Sequence, residues 1–141
     1  MIRIRSRVLE QIINHCKKGL PFEACGVLAG KIGDLNGAST KDVLKAYDCK
    51  NELNSSTRYR IGAEEQLRVF KEIDDLNMSL LGFYHSHVSS SYTSAEPSAV
   101  DQEKANYIGY SYLIITLQPA KVSSWILEEV GVFKEEELRV V

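Results

Sequence analysis

Cysteine is scarce in this sequence, and its arrangement argues against two classes of small protein. The chain has three cysteines, Cys16, Cys25 and Cys49, and no C-x-x-C pair. An odd number without regular spacing does not fit a disulfide framework, and it does not fit a cysteine-based zinc site. We therefore expect all three cysteines to be buried as small hydrophobic residues.

Long apolar runs and a strong charge of one sign are also missing. No apolar run approaches the roughly 18 residues that a membrane-spanning helix needs. The N-terminal stretch MIRIRSRVLEQII lacks the continuous apolar core and the cleavage site of a signal peptide, which predicts a cytoplasmic protein. The chain has 17 basic and 19 acidic residues, a net charge of -2, and no clustering of Lys and Arg. We therefore expect neither a membrane nor a nucleic acid as partner, and the oligomeric state stays unknown.

The remaining composition is that of a globular domain. Hydrophobic residues make up 44% of the 141 residues and charged residues 26%. A chain of this length can bury a core without disulfides, and no internal repeat or long linker divides it. We therefore predict a single domain over residues 1–141.

The apolar pattern predicts helices that alternate with buried strands. Helical spacing covers 6–18 and 63–76, and a serine after a proline favours a third helix over 98–107. Apolar runs predict strands over 23–30, 42–48, 79–86 and 111–117, with weaker candidates at 58–61, 122–129 and 138–141. The segment 31–41 is a predicted turn or hairpin loop, and 51–57 and 88–97 are predicted loops. The glutamates 135–137 are predicted to form a solvated turn. This order indicates an α/β (α+β) fold with a mixed central sheet flanked by helices.

Two histidines follow one another at the end of the predicted strand 79–86. His85 and His87 are two positions apart, and residues i and i+2 of a strand point to the same face. Two imidazoles side by side can supply two nitrogen ligands to a zinc ion. From this spacing alone, a pair of hydrogen-bonded core or surface histidines is an open alternative. The remaining histidine, His15, lies on the first predicted helix and is expected to face solvent.

A carboxylate after the next loop offers a third ligand. Asp101 lies near the start of the third predicted helix, and two histidines with one carboxylate leave a fourth position open for water. That layout is typical of catalytic rather than structural zinc sites. Glu96, in the loop itself, is the alternative carboxylate. Ser86 points to the face opposite the histidines and is predicted to be structural.

Two further residues allow two interpretations each when they are taken singly. Glu23 is an acidic residue that opens an apolar strand, so it is either a functional acid or a surface or capping carboxylate. Ser98 follows Pro97 and precedes helical residues, which suits a helix N-cap. The distance in sequence between Glu23 and His85 means that only the fold could bring them together.

Together these residues resemble the motif of the JAMM (MPN-plus, Mov34/PAD-1) metallopeptidases. That motif is a glutamate, then H-x-H, seven residues, and S-x-x-D. Here Glu23 lies in PFEACGVLAG, His85 and His87 lie in GFYHSH, and Ser98 and Asp101 lie in PSAVD. The resemblance covers most of the chain and implies the JAMM/MPN fold, which is similar to that of cytidine deaminase.

The similarity extends beyond the motif to the short prokaryotic members of the family. Asn51, the pair Tyr59-Arg60 and the helix with the sequence EQL at 65–67 look like those of the Mec-type peptidases, which act on ubiquitin-like sulfur-carrier proteins. The resemblance therefore implies a substrate protein of that kind, with a C-terminal Gly-Gly.

The resemblance also implies a mechanism. Zinc, held by His85, His87 and Asp101, would lower the pKa of its water toward about 7 and polarise the scissile carbonyl. Glu23 would take the proton of that water and pass it to the leaving amine, and Ser98 would donate a hydrogen bond to the oxyanion. The alternatives are a zinc hydrolase of small amides or peptides, and an inactive zinc-binding MPN scaffold.

The chain departs from the family pattern in one loop. Ten residues rather than seven separate His87 from Ser98, and Val88 stands where many members have proline. Because a longer loop costs little free energy, Asp101 is still expected to reach the metal. The three extra residues would instead affect how a substrate enters the site. Residues 89–92 of this loop are predicted to be solvated rather than to line the entrance.

Overall fold

The computed structural model describes residues 1–88 and 94–141. In this part of the chain the elements are β1 Ile2–Ile4, α1 Ser6–Gly19, β2 Cys25–Leu35, β3 Ala38–Cys49, α2 Ala63–Asp75, β4 Ser79–Ser86, α3 Ala99–Lys104, β5 Ser111–Leu117, β6 Ala120–Glu129, β7 Val132–Glu136 and β8 Leu138–Val140. These strands form one mixed sheet in the order β7-β6-β5-β4-β2-β3-β1-β8. A mixed sheet flanked by helices confirms the predicted α/β (α+β) fold class.

The sheet curls until its two outer strands are consecutive in the chain. β7 pairs with β6 at one end of the strand order, and β8 pairs with β1 at the other. Only Glu137 separates β7 from β8, and its carbonyl accepts a hydrogen bond of 2.9 Å from the Ile2 N–H. The twist of the strands allows a sheet of this size to curl in this way. β4 lies inside this order and has a paired strand on each side, β5 and β2.

Two apolar clusters cover the opposite faces of the sheet. α1 buries Val8, Ile12 and Cys16 on one face, as its helical spacing predicts. α2 buries Val69 and Ile73 on the other face. No helix in the described residues is long and apolar enough to cross a membrane.

β4 lies near the centre of the sheet and fixes the direction of the histidines. It pairs antiparallel with β2 and parallel with β5. Gly82 permits the close approach of β5, because a Cβ there would lie 1.8 Å from the carbonyl oxygen of Ser111. Phe83 packs in the cluster on the α2 side, and Tyr84 packs in the cluster on the α1 side. By alternation, His85 projects from the α2 side of the sheet.

The predicted turn or hairpin loop over 31–41 is shorter than expected, because β2 and β3 extend into it and pair as a hairpin. Only Asn36 and Gly37 lie between the strands, with φ values of 54° and 84°. Both values are in the left-handed region that Asn-Gly hairpin turns require. The end of β2 from residue 31 onward is exposed, so it lacks the apolar signature of a strand.

Other elements differ from the prediction in their length or existence. Residues 58–61 form no strand, and an isolated bridge joins Asn51 to Ile61 instead. α3 ends at Lys104 instead of continuing to 107. The sequence pattern does not predict β1 or β7. The prediction of a solvated turn at 135–137 is wrong for Glu135 and Glu136, which belong to β7. The Glu136 carboxylate accepts hydrogen bonds from the hydroxyls of Ser111 at 2.5 Å and Ser124 at 2.7 Å. β1 and β7 thus depend on pairing with other strands rather than on a pattern in their own sequence.

Candidate metal centre

The two histidines converge at the end of β4. His85 is its penultimate residue, and His87 follows the strand with its N–H donating to the Ile115 carbonyl at 2.9 Å. The two side chains are buried, and their Nε2 atoms lie 3.2 Å apart. The i, i+2 spacing therefore brings the imidazoles together, as the alternation of strand side chains predicts.

Asp101 reaches both histidines from the first turn of α3. Its Oδ2 lies 3.1 Å from Nε2 of His85 and 2.9 Å from Nε2 of His87. Burial tends to raise the pKa of Asp101, but the two imidazoles and the Ser98 N–H together hold that pKa well below its usual range. The group is therefore a carboxylate at neutral pH. The longer loop before Ser98 does not keep it from the histidines.

The separations of these three atoms fit a metal ion. Ligands at about 2.0–2.1 Å from a tetrahedral zinc ion are roughly 3.3 Å from one another. The three observed separations range from 2.9 to 3.2 Å. Among the described residues, His85, His87 and Asp101 form a group whose ligand atoms lie within 4.8 Å of one another. Two imidazoles and one carboxylate could hold a divalent metal and leave a further position for water.

Contacts on the far sides of the imidazoles fix their orientation. Nδ1 of His87 lies 2.8 Å from the Ser94 carbonyl oxygen, which can only accept, so Nδ1 carries the proton. Burial tends to lower the pKa of His87, but its hydrogen bonds to Asp101 and Ser94 raise that pKa overall. When His87 is neutral, its Nε2 carries no proton and can bind a metal. The His85 ring stacks on Tyr59, with 4.5 Å between centroids and 21° between planes. Neither the Ser94 carbonyl nor this stacking has a signal in the sequence.

The other candidate donors lie outside this group. Glu96 is exposed, so the alternative carboxylate is not among the clustered atoms. The three cysteines are free and buried, as expected, and burial raises the pKa of Cys16 and of Cys49 to about 12 each. Such thiols are protonated at neutral pH, which suits packing rather than ligation. The loop residues 89–92 that were predicted to be solvated lie outside the described residues.

Glu23 lies beside the two histidines although it is distant in sequence. Cys25 is opposite His85 in the β2–β4 ladder, and this pairing continues into Ala24. The Ala24 N–H donates to the Ser86 hydroxyl at 2.9 Å, and the Ser86 N–H donates to the Ala24 carbonyl at 3.1 Å. Ser86 thus has the structural role expected of it. One residue further along, Glu23 comes alongside His87.

The Glu23 carboxyl group is buried and incompletely bonded. Only 4% of the residue is exposed, and its Oε1 has no hydrogen-bond partner among the described residues. Burial raises its pKa to about 8, while the charge of His87 lowers it and that of Asp101 raises it. A buried carboxyl with a pKa near neutrality is suited to accept and release protons. It is neither a surface carboxylate nor a helix cap.

A cavity of about 590 Å³ opens beside the centre. Asp101 and Tyr59 connect its wall to the centre, and the remaining wall combines aromatic rings with polar and basic side chains. Its lining includes Tyr59, Ile61, Phe83, Asp101, Tyr107 and Tyr112. Phe83 packs on Tyr107 with 4.7 Å between ring centroids and on Tyr112 with 5.6 Å. A cavity of this size with a mixed apolar and polar lining can accept an extended segment of a ligand.

The prediction that His15 faces solvent is wrong. Its side chain is only 25% exposed, and its Nε2 lies 3.2 Å from the Cys49 carbonyl oxygen. Its ring also meets the edge of Tyr84, with 6.2 Å between centroids. The helical stripe that buries Cys16 places His15 at the border of the packed face, where a polar ring can bond to β3.

Ser98 is the N-cap of α3. Its Oγ accepts from the Asp101 N–H at 3.1 Å, and its own N–H donates to Asp101 Oδ2 at 2.9 Å, which forms a capping box. We expect Ser98→Ala to lower the free energy of unfolding by about 1 kcal/mol, because one helix N–H loses its acceptor. Urea denaturation measures this difference. Ser98→Thr keeps the hydroxyl and serves as the control; equal stability of the alanine variant and the wild type would contradict the capping role.

The sequence as a whole matches a known family. The model for prokaryotic homologues of the JAB domain matches residues 5–128. The chain belongs to this family. The JAB-domain match confirms the predicted resemblance to the JAMM (MPN-plus) proteins, and it spans Glu23, His85, His87, Ser98 and Asp101.

Named relatives of this JAB-domain protein are peptidases. The chain is 33% identical over 110 residues to the desampylase of Haloferax volcanii, covering 74% of this chain and 73% of that protein. It is 30% identical over 113 residues to the CysO-cysteine peptidase of Mycobacterium tuberculosis, covering 80% and 71%. A solution structure of a protein from Desulfitobacterium hafniense matches with a TM-score of 0.86 at 30% identity, over 100% of this chain and 93% of that one. The fold that the two structures share thus extends over the full chain.

Proposed function

We propose that this JAB-domain protein is a zinc-dependent isopeptidase or peptidase. It hydrolyses the amide bond after the C-terminal glycine of a ubiquitin-like or sulfur-carrier protein. The observation that carries the proposal is the convergence of two imidazoles and a carboxylate beside a buried glutamate whose Oε1 has no partner among the described residues. A structural metal site is closed by protein ligands and needs no additional carboxyl group to accept a proton from water.

His85, His87 and Asp101 are the proposed zinc ligands, and Glu23 is the proposed base. When bound, zinc lowers the pKa of a water ligand and polarises the carbonyl of the scissile amide. Glu23 accepts the proton of the attacking water and delivers it to the leaving amine. Its burial supports this role, because a carboxyl that is shielded from solvent and whose Oε1 has no partner among the described residues can exchange a proton with a water beside the histidines.

Ser98 is the proposed donor to the developing oxyanion. Its Oγ accepts the Asp101 N–H, so the hydroxyl hydrogen remains available to donate. Because α3 fixes the position of Ser98, donation needs little reorganisation during the reaction. The cap and the donor roles are compatible, since they use different parts of the same hydroxyl.

The cavity beside the metal centre, lined in part by Tyr59 and Asp101, is the proposed site for the acyl segment of the substrate. It borders Asp101, so a chain that lies in it can place its last carbonyl beside the centre. The names of the two relatives support a carrier protein as the source of that segment. A C-terminal Gly-Gly would allow the backbone to approach the buried ligands closely.

The test is cleavage of a carrier protein that ends in Gly-Gly and is joined by its terminal carboxyl to an amine. We expect the zinc-loaded enzyme to release the intact carrier, detected by mass spectrometry. The matched control is the same carrier with its last two residues replaced by Ala-Ala, which we expect to be cleaved at least about 10-fold more slowly because the added methyl groups obstruct approach.

Two results would contradict this function in different ways. Cleavage of a short Gly-Gly amide as efficiently as the carrier fusion would indicate a hydrolase of small amides. Stoichiometric zinc binding without cleavage of any fusion would indicate an inactive scaffold.

A further inference from the structure

Asn51 is a buried amide that lies outside the proposed ligands and the proposed base. It follows the end of β3 and is 8% exposed. Its Nδ2 donates to the Glu23 carbonyl at 3.0 Å and to the Arg58 carbonyl at 2.9 Å. Its Oδ1 accepts from the Leu53 N–H at 3.1 Å and the Arg60 N–H at 3.2 Å. One side chain therefore makes four hydrogen bonds to the backbone, which uses both of its donor hydrogens.

One of these four bonds holds the backbone of Glu23. Glu23 precedes β2, so the strand ladder does not hold its carbonyl, and Asn51 does. The Glu23 N–H donates to the Ser55 carbonyl at 2.8 Å. Both backbone polar groups of the glutamate are thus bonded to the segment 51–61. That segment sets the position of the residue.

The other three bonds, to Arg58, Leu53 and Arg60, hold the segment 51–61 in its own conformation. Asn51 bonds to Arg58 and Arg60, the two neighbours of Tyr59. Tyr59 stacks on the His85 ring and lines the cavity. The position of Tyr59 is therefore linked, through one amide, to the position of Glu23.

We infer that Asn51 is a positioning residue for the proposed hydrolysis, holding the base, the stacking tyrosine and the cavity wall in one arrangement. A buried asparagine with a merely structural role would tie a loop to itself. Asn51 also reaches the backbone of the one buried glutamate beside the histidines. This inference rests on the proposed function for its catalytic meaning, whereas the coupling itself can be measured without any substrate.

Asn51→Asp separates the two halves of the network. The aspartate keeps an acceptor for the Leu53 and Arg60 N–H groups, but it sets a carboxylate oxygen against the carbonyls of Glu23 and Arg58. We expect kcat to fall by about 100-fold, since a misplacement of roughly 1 Å in a catalytic group has an effect of that size. Zinc content should stay at the wild-type level. Asn51→Ala has no repulsive oxygen but removes all four bonds, so it tests the fall in kcat if the aspartate variant does not fold.

Hydrogen exchange supplies a readout that does not depend on turnover. In Asn51→Asp the Glu23 N–H should exchange with solvent faster relative to the amides of β5. The reason is that Asn51 no longer holds the Glu23 carbonyl, so the bond from the Glu23 N–H to Ser55 opens more often. The amides of Leu53 and Arg60 should keep their protection, since they retain an acceptor. Arg3→Met is the matched control. It removes the side-chain pair with Asp42, whose two bonds are 2.6 and 2.9 Å, near the other end of β3.

The control should lower global stability and leave both kcat and the relative protection of Glu23 unchanged. Unchanged kcat together with unchanged Glu23 protection in Asn51→Asp would overturn the inference. A fall in kcat that only follows the loss of folded or zinc-bound protein would also overturn it. If the wild type cleaves no carrier, the proposed function fails, and the exchange data still decide whether Asn51 couples Glu23 to the loop.

Discussion

Glu23→Gln should lower kcat by about 100- to 10,000-fold and leave zinc binding intact. The loss follows from general-base catalysis, since a neutral amide cannot accept the proton of the attacking water. Glutamine has nearly the shape of glutamate, and the backbone bonds to Asn51 and Ser55 do not involve the side chain. The measurement is single-turnover cleavage of a Gly-Gly carrier fusion, with zinc content measured on the same sample.

The same substitution should raise the stability of the metal-free protein. Burial raises the pKa of Glu23 to about 8, above its value of 4.5 in an unfolded chain. Between these pH values the unfolded state has lost the proton that the folded state keeps, so stability falls as pH rises through this window. Glutamine cannot ionise, and its variant should lack this decline. Urea unfolding at pH 5 and pH 8 compares the two proteins.

Glu65→Gln is the control for the loss of a neighbouring carboxylate. Glu65 lies on α2, and its Oε1 accepts from the Lys50 N–H at 2.9 Å. An amide oxygen can accept that bond equally well, so activity should stay at the wild-type level. Full activity of Glu23→Gln would show that another group is the base. If Glu23→Gln were less stable than the wild type at pH 8, the Glu23 carboxylate would have to be paired with another group in solution.

Asp101→Ala should weaken zinc binding by at least about 100-fold. Loss of a group that only supports a ligand costs about 10- to 100-fold, and loss of a ligand costs more. Here the substitution removes the oxygen that faces both imidazoles and accepts the Ser98 N–H. The wild type should bind close to one zinc per chain. Competition with a chromophoric chelator measures both affinities.

Glu96→Ala is the matched control, since Glu96 is the other carboxylate near this part of the chain and is exposed. It should bind zinc as the wild type does. Zinc at saturation should also stabilise the wild type by about 2.7 kcal/mol at 100 times the dissociation constant, and stabilise Asp101→Ala far less. Wild-type protein that takes up no zinc would contradict the metal assignment. Unchanged affinity in Asp101→Ala together with weakened affinity in Glu96→Ala would transfer the ligand role to Glu96.

The sequence predicts the elements that have their own periodicity. α1, α2 and the apolar strands β4 and β5 bury enough side chains to leave a 3.6- or 2-residue pattern, and the structure confirms them within a few residues. β1, β7 and the outer half of β2 leave no such pattern. The hydrogen bonds that define them are made by the backbone. β1 pairs with strands distant in the chain, whereas β7 and the outer half of β2 each pair with the adjacent strand across a tight turn.

The candidate site divides in the same way. The spacing of His85 and His87 determines by itself that the two imidazoles share a face, because strand side chains alternate. The family motif adds Asp101, Ser98 and Glu23 as candidates without placing them. Only the tertiary structure sets Asp101 within 3.1 Å of both imidazoles, and only the pairing of β2 with β4 sets Glu23 beside them.

What the sequence determined by itself is therefore the set of chemical groups and the local geometry of adjacent residues. The tertiary structure decided which distant groups meet and how strongly each is perturbed. Burial, which changes the pKa of Glu23, depends on the whole fold rather than on neighbouring residues. The bonds of Asn51 also depend on the whole fold, because its amide group joins the backbone of Glu23 to that of Arg60. A local sequence pattern does not reveal such a role.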